Sequence, residues 1–283
     1  MSEEFPRLAL RGVAYDIGYQ HGARLAPAVS DNIGVYFKVF EHYAGLNRSQ
    51  VLDRASQFTD IIRAFDNDLM DEISGIAEAS HHLLEEIVAL NSRTEIMFKE
   101  GGQLLSAECT SIAISPESAF SSHTLVAQNW DWMPRIQRNC VLLEMERPVK
   151  PRILTFTEAG IVGKIGMNGG GLGLCCNLLA TPETRPGVPF HLLCRRVQEC
   201  TTIGQALGVL MTSASGASGN FLVAHSEGEA IDIEKTPSGV DYLYSATACW
   251  HIQTTSNRGS LLRTRGANCC LTASCVIAAP ISY

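Results

Sequence analysis

The sequence lacks the features that mark several protein classes. None of its ten cysteines forms a C-x-x-C pair, so the ligand spacing of a zinc ribbon is missing. It also has no basic block or stripe, and 22 basic residues against 29 acidic ones give a formal charge of −7. This balance disfavours a nucleic-acid-binding surface. The absences favour small-molecule chemistry, and we expect neither a metal site nor a bound cofactor.

Signals for export and membrane insertion are missing as well. The start, "MSEEFPRLALRG", is acidic and has no apolar run, so no secretory signal is predicted. Residues 201–226 carry no Asp, Glu, Lys or Arg, but the small polar residues of "MTSASGASGN" argue against a bilayer span. We therefore expect a cytoplasmic protein with reduced thiols, without contact to membranes. The final "ISY" is not a peroxisomal tripeptide.

Hydrophobic periodicity predicts the fold class. With 283 residues, 46% of them hydrophobic, the chain can bury a substantial core. From residue 16 to about 100 the apolar residues recur at helical spacing, whereas after residue 109 they alternate as in short strands. A helix is predicted over 189–213, opened by Pro189, and strands follow it. This order predicts one α+β domain in which helices cover antiparallel sheet.

The end of the chain has a different composition. Asp241 is the last acidic residue, so the final 42 residues contain no Asp or Glu. Residues 251–283 show no clear period or capping signal. We expect this segment to be an atypical tail outside the native fold, as an altered reading frame or a misplaced splice site would produce. The C-terminal part of the fold is accordingly expected to be truncated.

Cys109 lies where the helical pattern changes to the strand pattern, in "SAECTSIAIS". Two interpretations of this cysteine are open. It is a small buried hydrophobic residue, as most free cysteines are, or it is a nucleophile. If the preceding peptide bond is cut, the freed α-amino group, with an ordinary pKa of about 8, can serve as the base for the thiol of the same residue.

Asn129 and Asp131 of "AQNWDW" are predicted to share one face of their strand, with the tryptophans on the other. A hairpin centred near residue 119 would set Cys109 opposite residues 129–131. A thiol, an amide and a carboxylate would then lie at one edge of the sheet. The alternative is that the two polar side chains form a solvated face.

Seven ordered motifs resemble those of the acyl-coenzyme A:6-aminopenicillanic acid acyltransferase (isopenicillin N acyltransferase) family, the C45 group of N-terminal nucleophile hydrolases. The match as a whole runs from about residue 8 to 250. In chain order the motifs are "YDIGYQHGARLA", "EISGIAEAS", "EEIVALNSRTE", "ECTSIAIS", "AQNWDW", "TEAGIVGKIGMNGGGLGLCCN" and "RPGVPFHLLCRRVQEC".

The resemblance implies a four-layer αββα fold and a precursor that cuts itself between Glu108 and Cys109. Residues 1–108 would form the helical α chain and residues 109–250 the β-chain sheets, and the two chains would stay together as partners. The resemblance also implies that an acyl group passes through a thioester on Cys109 and that Asp131, with Asn129 nearby, lies in the substrate pocket. The implied substrates are an acyl-CoA and a β-lactam or other amine acceptor; attack by water instead hydrolyses an amide.

Two departures from the family pattern affect these expectations. Glu108 stands where the family usually has Gly, and its Cβ and charge can hinder a twisted scissile bond. The late motif that supplies an oxyanion-hole asparagine is replaced by "WHIQTTSNRGS". Asn257 is a weak candidate for that amide. The family also has a still later arginine that binds the substrate carboxylate, and Arg263 or Arg265 are weaker candidates for it. A second hypothesis is therefore a truncated, uncut and non-catalytic relative that acts as a binding protein.

Overall fold

The structure is a computed structural model that describes residues 5–97, 109–179 and 185–244, together with the backbone of 249–254 and 276–280. Its helices are α1 (Ala14–Ala44), α2 (Arg48–Phe65), α3 (Asn67–Ser80), α4 (Leu84–Asn91), α5 (Arg93–Met97), α6 (Phe190–Gln198) and α7 (Ile203–Thr212). Its strands are β1 (Arg7–Arg11), β2 (Cys109–Ile114), β3 (Leu125–Trp130), β4 (Cys140–Glu146), β5 (Ile153–Glu158), β6 (Ile165–Asn168), β7 (Leu172–Leu178), β8 (Gly219–His225), β9 (Ala230–Lys235), β10 (Val240–Leu243), β11 (Cys249–Thr254) and β12 (Val276–Pro280).

The strands form two sheets. The large sheet has the order β1-β4-β5-β6-β7-β8-β9-β10, and only β1 and β4 within it run parallel. The small sheet has the order β11-β2-β3-β12 and is antiparallel. The helices pack on one face of the large sheet, and the small sheet packs on the other. The predicted α+β class is confirmed, and the described residues supply three layers of the expected four.

The helix layer owes its close packing to small residues. α1 and α3 make the most extensive helix contact of the described chain. Gly18 faces the backbone of α3 so closely that a Cβ there would overlap the carbonyl oxygen of Glu72. α1 ends at Gly45, which has a φ of 64°, a conformation that glycine adopts without strain. The close approach lets α1 and α3 form one rigid layer over the large sheet.

The two sheets are joined by a small apolar core and by polar contacts. Ala113 and Val126 of the small sheet pack against Cys175, Leu222 and Ala224 of the large one. The Ser111 hydroxyl donates to the Asn177 side-chain oxygen at 2.7 Å. Strand alternation therefore fixes which residues of β2 and β3 face the large sheet.

β6 and β7 separate after two paired positions. Only Gly166↔Leu174 and Met167↔Gly173 are paired, although β7 continues to Leu178. Beyond this point the Gln128 side chain of the small sheet takes the place of a neighbouring strand. Its amide nitrogen donates to the Cys176 carbonyl at 2.6 Å, and its oxygen accepts from the Cys176 N–H at 2.9 Å. The opening lies within the large sheet.

The structure differs from one sequence expectation. The helix predicted over 189–213 is two helices, α6 and α7, because Thr202 begins a new helix: its hydroxyl accepts from the Gln205 N–H. Pro189 is the N-cap of α6. The backbone segments 249–254 and 276–280 pair with β2 and β3. The rest of 251–283 lies outside the described residues, and the atypical tail stays a prediction. Within the described ranges, no helix is both long and apolar enough to span a membrane.

Candidate active site

Cys109 is the first residue of β2, on the face of the small sheet that looks toward the large one. The hairpin register pairs Cys109 with Trp130 and Ile114 with Leu125, which falls inside the predicted window of 129–131. Its side chain is 4% exposed. Burial raises the pKa of the Cys109 thiol to about 11, while the Lys164 ammonium and a backbone hydrogen bond from Asp131 act in the opposite direction.

The polar residues of "AQNWDW" are placed differently from the expectation. Asn129 pairs with Thr110, so strand alternation directs it to the sheet face opposite Cys109. Asp131 follows the end of β3 and is exposed, and its backbone rather than its side chain contacts the thiol. The side chains that share the face of Cys109 are Gln128 and Trp130. The expected grouping of thiol, amide and carboxylate is therefore not present, although the substrate-binding roles of Asn129 and Asp131 stay a prediction.

A cavity of about 30 Å³ lies in the opening between β6 and β7. Residues of both sheets and of the helix layer line it: Arg93, Thr94, Cys109, Trp130, Trp132, Lys164, Cys176, Leu178, Phe190 and His191. A cavity of this size holds one or two water molecules. The thiol thus borders a small cavity rather than a close-packed core.

A buried cluster of charged side chains borders this cavity. Both Glu158 oxygens accept from Arg93 Nη1, at 2.6 and 2.7 Å, and Glu158 Oε1 also accepts from Lys164 Nζ at 3.0 Å. The Tyr36 hydroxyl donates to Glu158 Oε2 at 2.8 Å and accepts from the Trp132 indole at 2.8 Å. Lys164 Nζ also lies 2.8 Å from the centroid of the Trp130 ring. One carboxylate therefore holds two cations in place.

His191 completes the cluster as a neutral group. Its Nε2 accepts from Arg93 Nε at 3.1 Å, so Nδ1 carries the proton and donates to the Gly163 carbonyl at 3.2 Å. Burial, together with the charges of Arg93 and Lys164, lowers its pKa well below the usual value. With Lys164 protonated, the cluster carries one positive charge in excess. Burial also lowers the pKa of Lys164, to about 8, against the opposing effect of Glu158.

The loop that carries Lys164 is held by three helix side chains. Asn32 donates to the Ala159 carbonyl at 2.9 Å, and His21 Nε2 accepts from the Gly160 N–H at 2.9 Å. Asn91 accepts from the Val162 N–H at 3.0 Å and donates to the Gly160 carbonyl. These bonds fix the path of the chain just before β6. His21 is fully buried, so this anchor of the loop lies within the core.

The sequence reasoning did not single out Arg93, Glu158, Lys164 or His191, although each lies in one of the seven motifs. A usable signal was the single charge of Lys164 within the apolar run "GIVGKIGM". Glu108, Asn257, Arg263 and Arg265 lie outside the described residues. Across the described ranges, no group of three or more His, Cys, Asp and Glu side chains is arranged to hold a metal ion.

Comparison with known proteins supports the resemblance seen in the sequence. A family model described as acyl-coenzyme A:6-aminopenicillanic acid acyl-transferase matches residues 119–258. This match confirms the resemblance to the acyltransferase family. The matched region contains Trp130, Glu158, Lys164 and His191, and it begins after Cys109 and Arg93.

A curated relative extends the likeness to the acyltransferase family. The acyl-coenzyme A:6-aminopenicillanic-acid-acyltransferase 40 kDa form of Emericella nidulans is 28% identical over 238 residues, which is 80% of this chain. The chain spans 62% of the length of that relative. Among solved structures, penicillin V acylase from Agrobacterium tumefaciens has a TM-score of 0.35 and 14% identity, covering 48% of this chain and 49% of the acylase.

Proposed function

We propose that this chain is a self-processing cysteine acyltransferase with amide-hydrolase activity. The Cys109 thiol carries the acyl group as a thioester after the peptide bond between Glu108 and Cys109 is cut. An acyl-CoA serves as the acyl donor and a β-lactam amine, such as 6-aminopenicillanic acid, as the acceptor; water in place of the amine gives hydrolysis of an amide. No bound cofactor takes part, and the fragments 1–108 and 109–283 remain associated.

One observation carries the proposal: Cys109 begins the inner strand β2 and its thiol faces a cavity bordered by buried cations. A thiol at a strand start can become a chain terminus once the preceding bond is cut, which gives the nucleophile and its amine base in one residue. The family match and the Emericella relative support acyl transfer as the chemistry.

The association of the fragments is supported by the composition of the site. Arg93 and Tyr36 come from the region before the cut, whereas Cys109, Glu158 and Lys164 come from the region after it. This composition fits a precursor whose site spans the cleavage point.

Intact mass spectrometry of the purified full chain tests the processing. We expect a fragment of residues 109–283 with an N-terminal cysteine, and we expect Cys109→Ala to abolish it. Cys200→Ala is the matched control, because Cys200 is also buried but does not line the cavity. A wild-type chain that stays whole over days at pH 7 to 8 would exclude self-processing.

Acyl transfer is tested with the processed protein, an acyl-CoA and 6-aminopenicillanic acid. Release of free CoA thiol and formation of the acylated product are expected, and both should be lost in Cys109→Ala. Release of an amine from isopenicillin N would indicate the amidase form. Neither product with the wild type would reject both forms of the proposal.

The second candidate, an uncut binding protein, is favoured by the raised pKa of Cys109 and by the small cavity. The mass-spectrometric experiment separates the two candidates, because a single full-length species that binds the acceptor without turnover supports the second.

A further inference from the structure

The first cut poses a chemical problem that the mature enzyme does not have. In the uncut chain the nitrogen of Cys109 belongs to a peptide bond and cannot accept a proton. The freed amine of the proposed function is therefore absent when the thiol must first attack. Burial alone would keep this thiol protonated at neutral pH. A different group is needed to take its proton.

Lys164 is positioned for this task. It lines the same cavity as Cys109, and its ammonium lies 2.8 Å from the centroid of Trp130, the register partner of Cys109 on the same sheet face. Its side chain is 5% exposed, and the 3.0 Å bond to Glu158 fixes the ammonium end of that side chain. Glu158 is in turn held by two bonds from Arg93 and one from Tyr36.

Among the described residues, the titratable side chains near Lys164 come from several helices and strands. Glu158 lies at the end of β5, Arg93 on α5 and His191 on α6. The remaining groups are thiols, namely Cys109, Cys140, Cys176 and Cys194. Glu158 is the carboxylate bonded to Lys164, and it is shared with Arg93. Glu95 also interacts with Arg93, and burial raises the pKa of Glu95 to about 7. A thiolate at Cys109 would pair with the Lys164 ammonium that forms when the proton is transferred.

We propose that Lys164 is the proton acceptor for the Cys109 thiol in the uncut chain, held in position by Glu158 and Arg93. This inference rests on the proposed function. Burial brings the pKa of Lys164 to about 8, so the neutral amine is accessible near neutral pH.

The step balances as follows. The proton of Cys109 Sγ moves to neutral Lys164 Nζ, and the thiolate attacks the carbonyl carbon of residue 108. A C–S bond forms and the C–N bond to Cys109 breaks, while the Lys164 ammonium returns the proton to the departing nitrogen. Water then hydrolyses the thioester, which gives the carboxyl group of residue 108 and the free thiol. After this cut the new α-amine replaces Lys164 as base.

The experiment follows self-cleavage of newly made full-length chain by intact mass spectrometry between pH 6 and 9. We expect the wild-type rate to rise as the pH passes through about 8, where Lys164 loses its proton. Lys164→Met should be cut at least about a hundredfold more slowly, because the proton acceptor is lost and a positioned general base contributes about 10²- to 10⁴-fold to a rate. Lys164→Arg keeps the charge but accepts no proton and should also be slow. Lys38→Met, at an exposed lysine, is the matched control and should cut at the wild-type rate.

A Lys164→Met or Lys164→Arg chain cut at the wild-type rate would overturn the inference, and the proposed function would stand if Cys109→Ala remained uncut. If the wild type itself stays whole, the Cys109 thiol is titrated in the uncut chain by its ¹³Cβ resonance, assigned through Cys109→Ser. The wild-type resonance is then expected to shift as the pH passes through about 8, where the neighbouring Lys164 loses its proton, and this shift should be absent in Lys164→Met. A wild-type resonance without a shift in this range would overturn the inference. Circular dichroism shows in either case whether the variants fold.

Discussion

Replacing Glu158 by Gln should destabilise the fold more than any other single change in the charged cluster. Glu158 is fully buried and accepts bonds from Arg93, Lys164 and Tyr36. Glutamine keeps the shape but leaves two buried cations without a counter-charge. Removing one partner of a buried ion pair costs about 3–5 kcal/mol. For a chain of this length, with about 2.1 cal/mol/K of unfolding entropy per residue, this corresponds to a Tm decrease of about 5 to 8 °C.

The pH dependence of this loss has a defined sign. The pKa of Glu158 lies below its ordinary value because of Arg93 and Lys164, which outweigh its burial, so the carboxylate stabilises the fold above its unfolded pKa. Without Glu158 the pKa of Lys164 falls below about 8. The folded variant then binds fewer protons than the folded wild type just below pH 8. The stability difference should therefore be largest near pH 5 to 6 and shrink as the pH rises toward 8.

The assay is urea unfolding of Glu158→Gln, Lys164→Met and the wild type at several pH values, with Cys109→Ala in the background to prevent cutting. Lys164→Met leaves Arg93 paired with Glu158, so it should cost less than about 1 kcal/mol, far below the loss of an unpaired buried charge. A loss below about 1 kcal/mol in Glu158→Gln, or an equal loss in the two variants, would refute the charge argument.

Two further changes test the fold away from the cavity. Gly18→Ala should destabilise the fold by about 1–3 kcal/mol or more, because the added Cβ meets the Glu72 carbonyl. Gly34→Ala, the control in the same helix, has open space around its Cβ and should stabilise the fold by about 0.5–1 kcal/mol. Equal Tm changes in the two variants would contradict the close approach of α1 and α3. Burial raises the pKa of Asp232 to about 7, so the stability that Asp232 contributes is present at acid pH and is lost as the pH rises through 7. Asp232→Asn should therefore be more stable than the wild type by a few kcal/mol at pH 8 and by little at pH 4. A stability difference that does not change with pH would contradict this prediction.

The local features of the fold could be predicted from the sequence because they depend on neighbouring residues. The change from helical to alternating spacing near residue 109 locates the start of β2, and the hairpin loop sets the sum of paired positions to 239, as in Cys109 with Trp130. The predicted range of partners, residues 129–131, did not decide which side chains of β3 share the sheet face of Cys109. A shift of one residue moves every side chain to the other face, and the actual register places Trp130 rather than Asn129 beside the thiol.

The charged cluster could not be predicted in this way. Arg93, Glu158, Lys164 and His191 come from four different parts of the chain, and no periodicity brings them together. Their arrangement depends on the packing of α5 and α6 over the opening in the large sheet and on the loop held by Asn91. A buried charge in an apolar segment indicates that a partner exists, since an unpaired one is costly. It does not indicate which residue the partner is.

The Gln128 side chain has a consequence for the state of the protein before any substrate arrives. Because its amide provides both hydrogen bonds that a neighbouring strand would give to Cys176, drawing β6 and β7 together would gain no net hydrogen bond. The separation of the strands is thus an equilibrium property of the free protein. The free-energy cost of opening the sheet at the cavity is therefore met once, during folding.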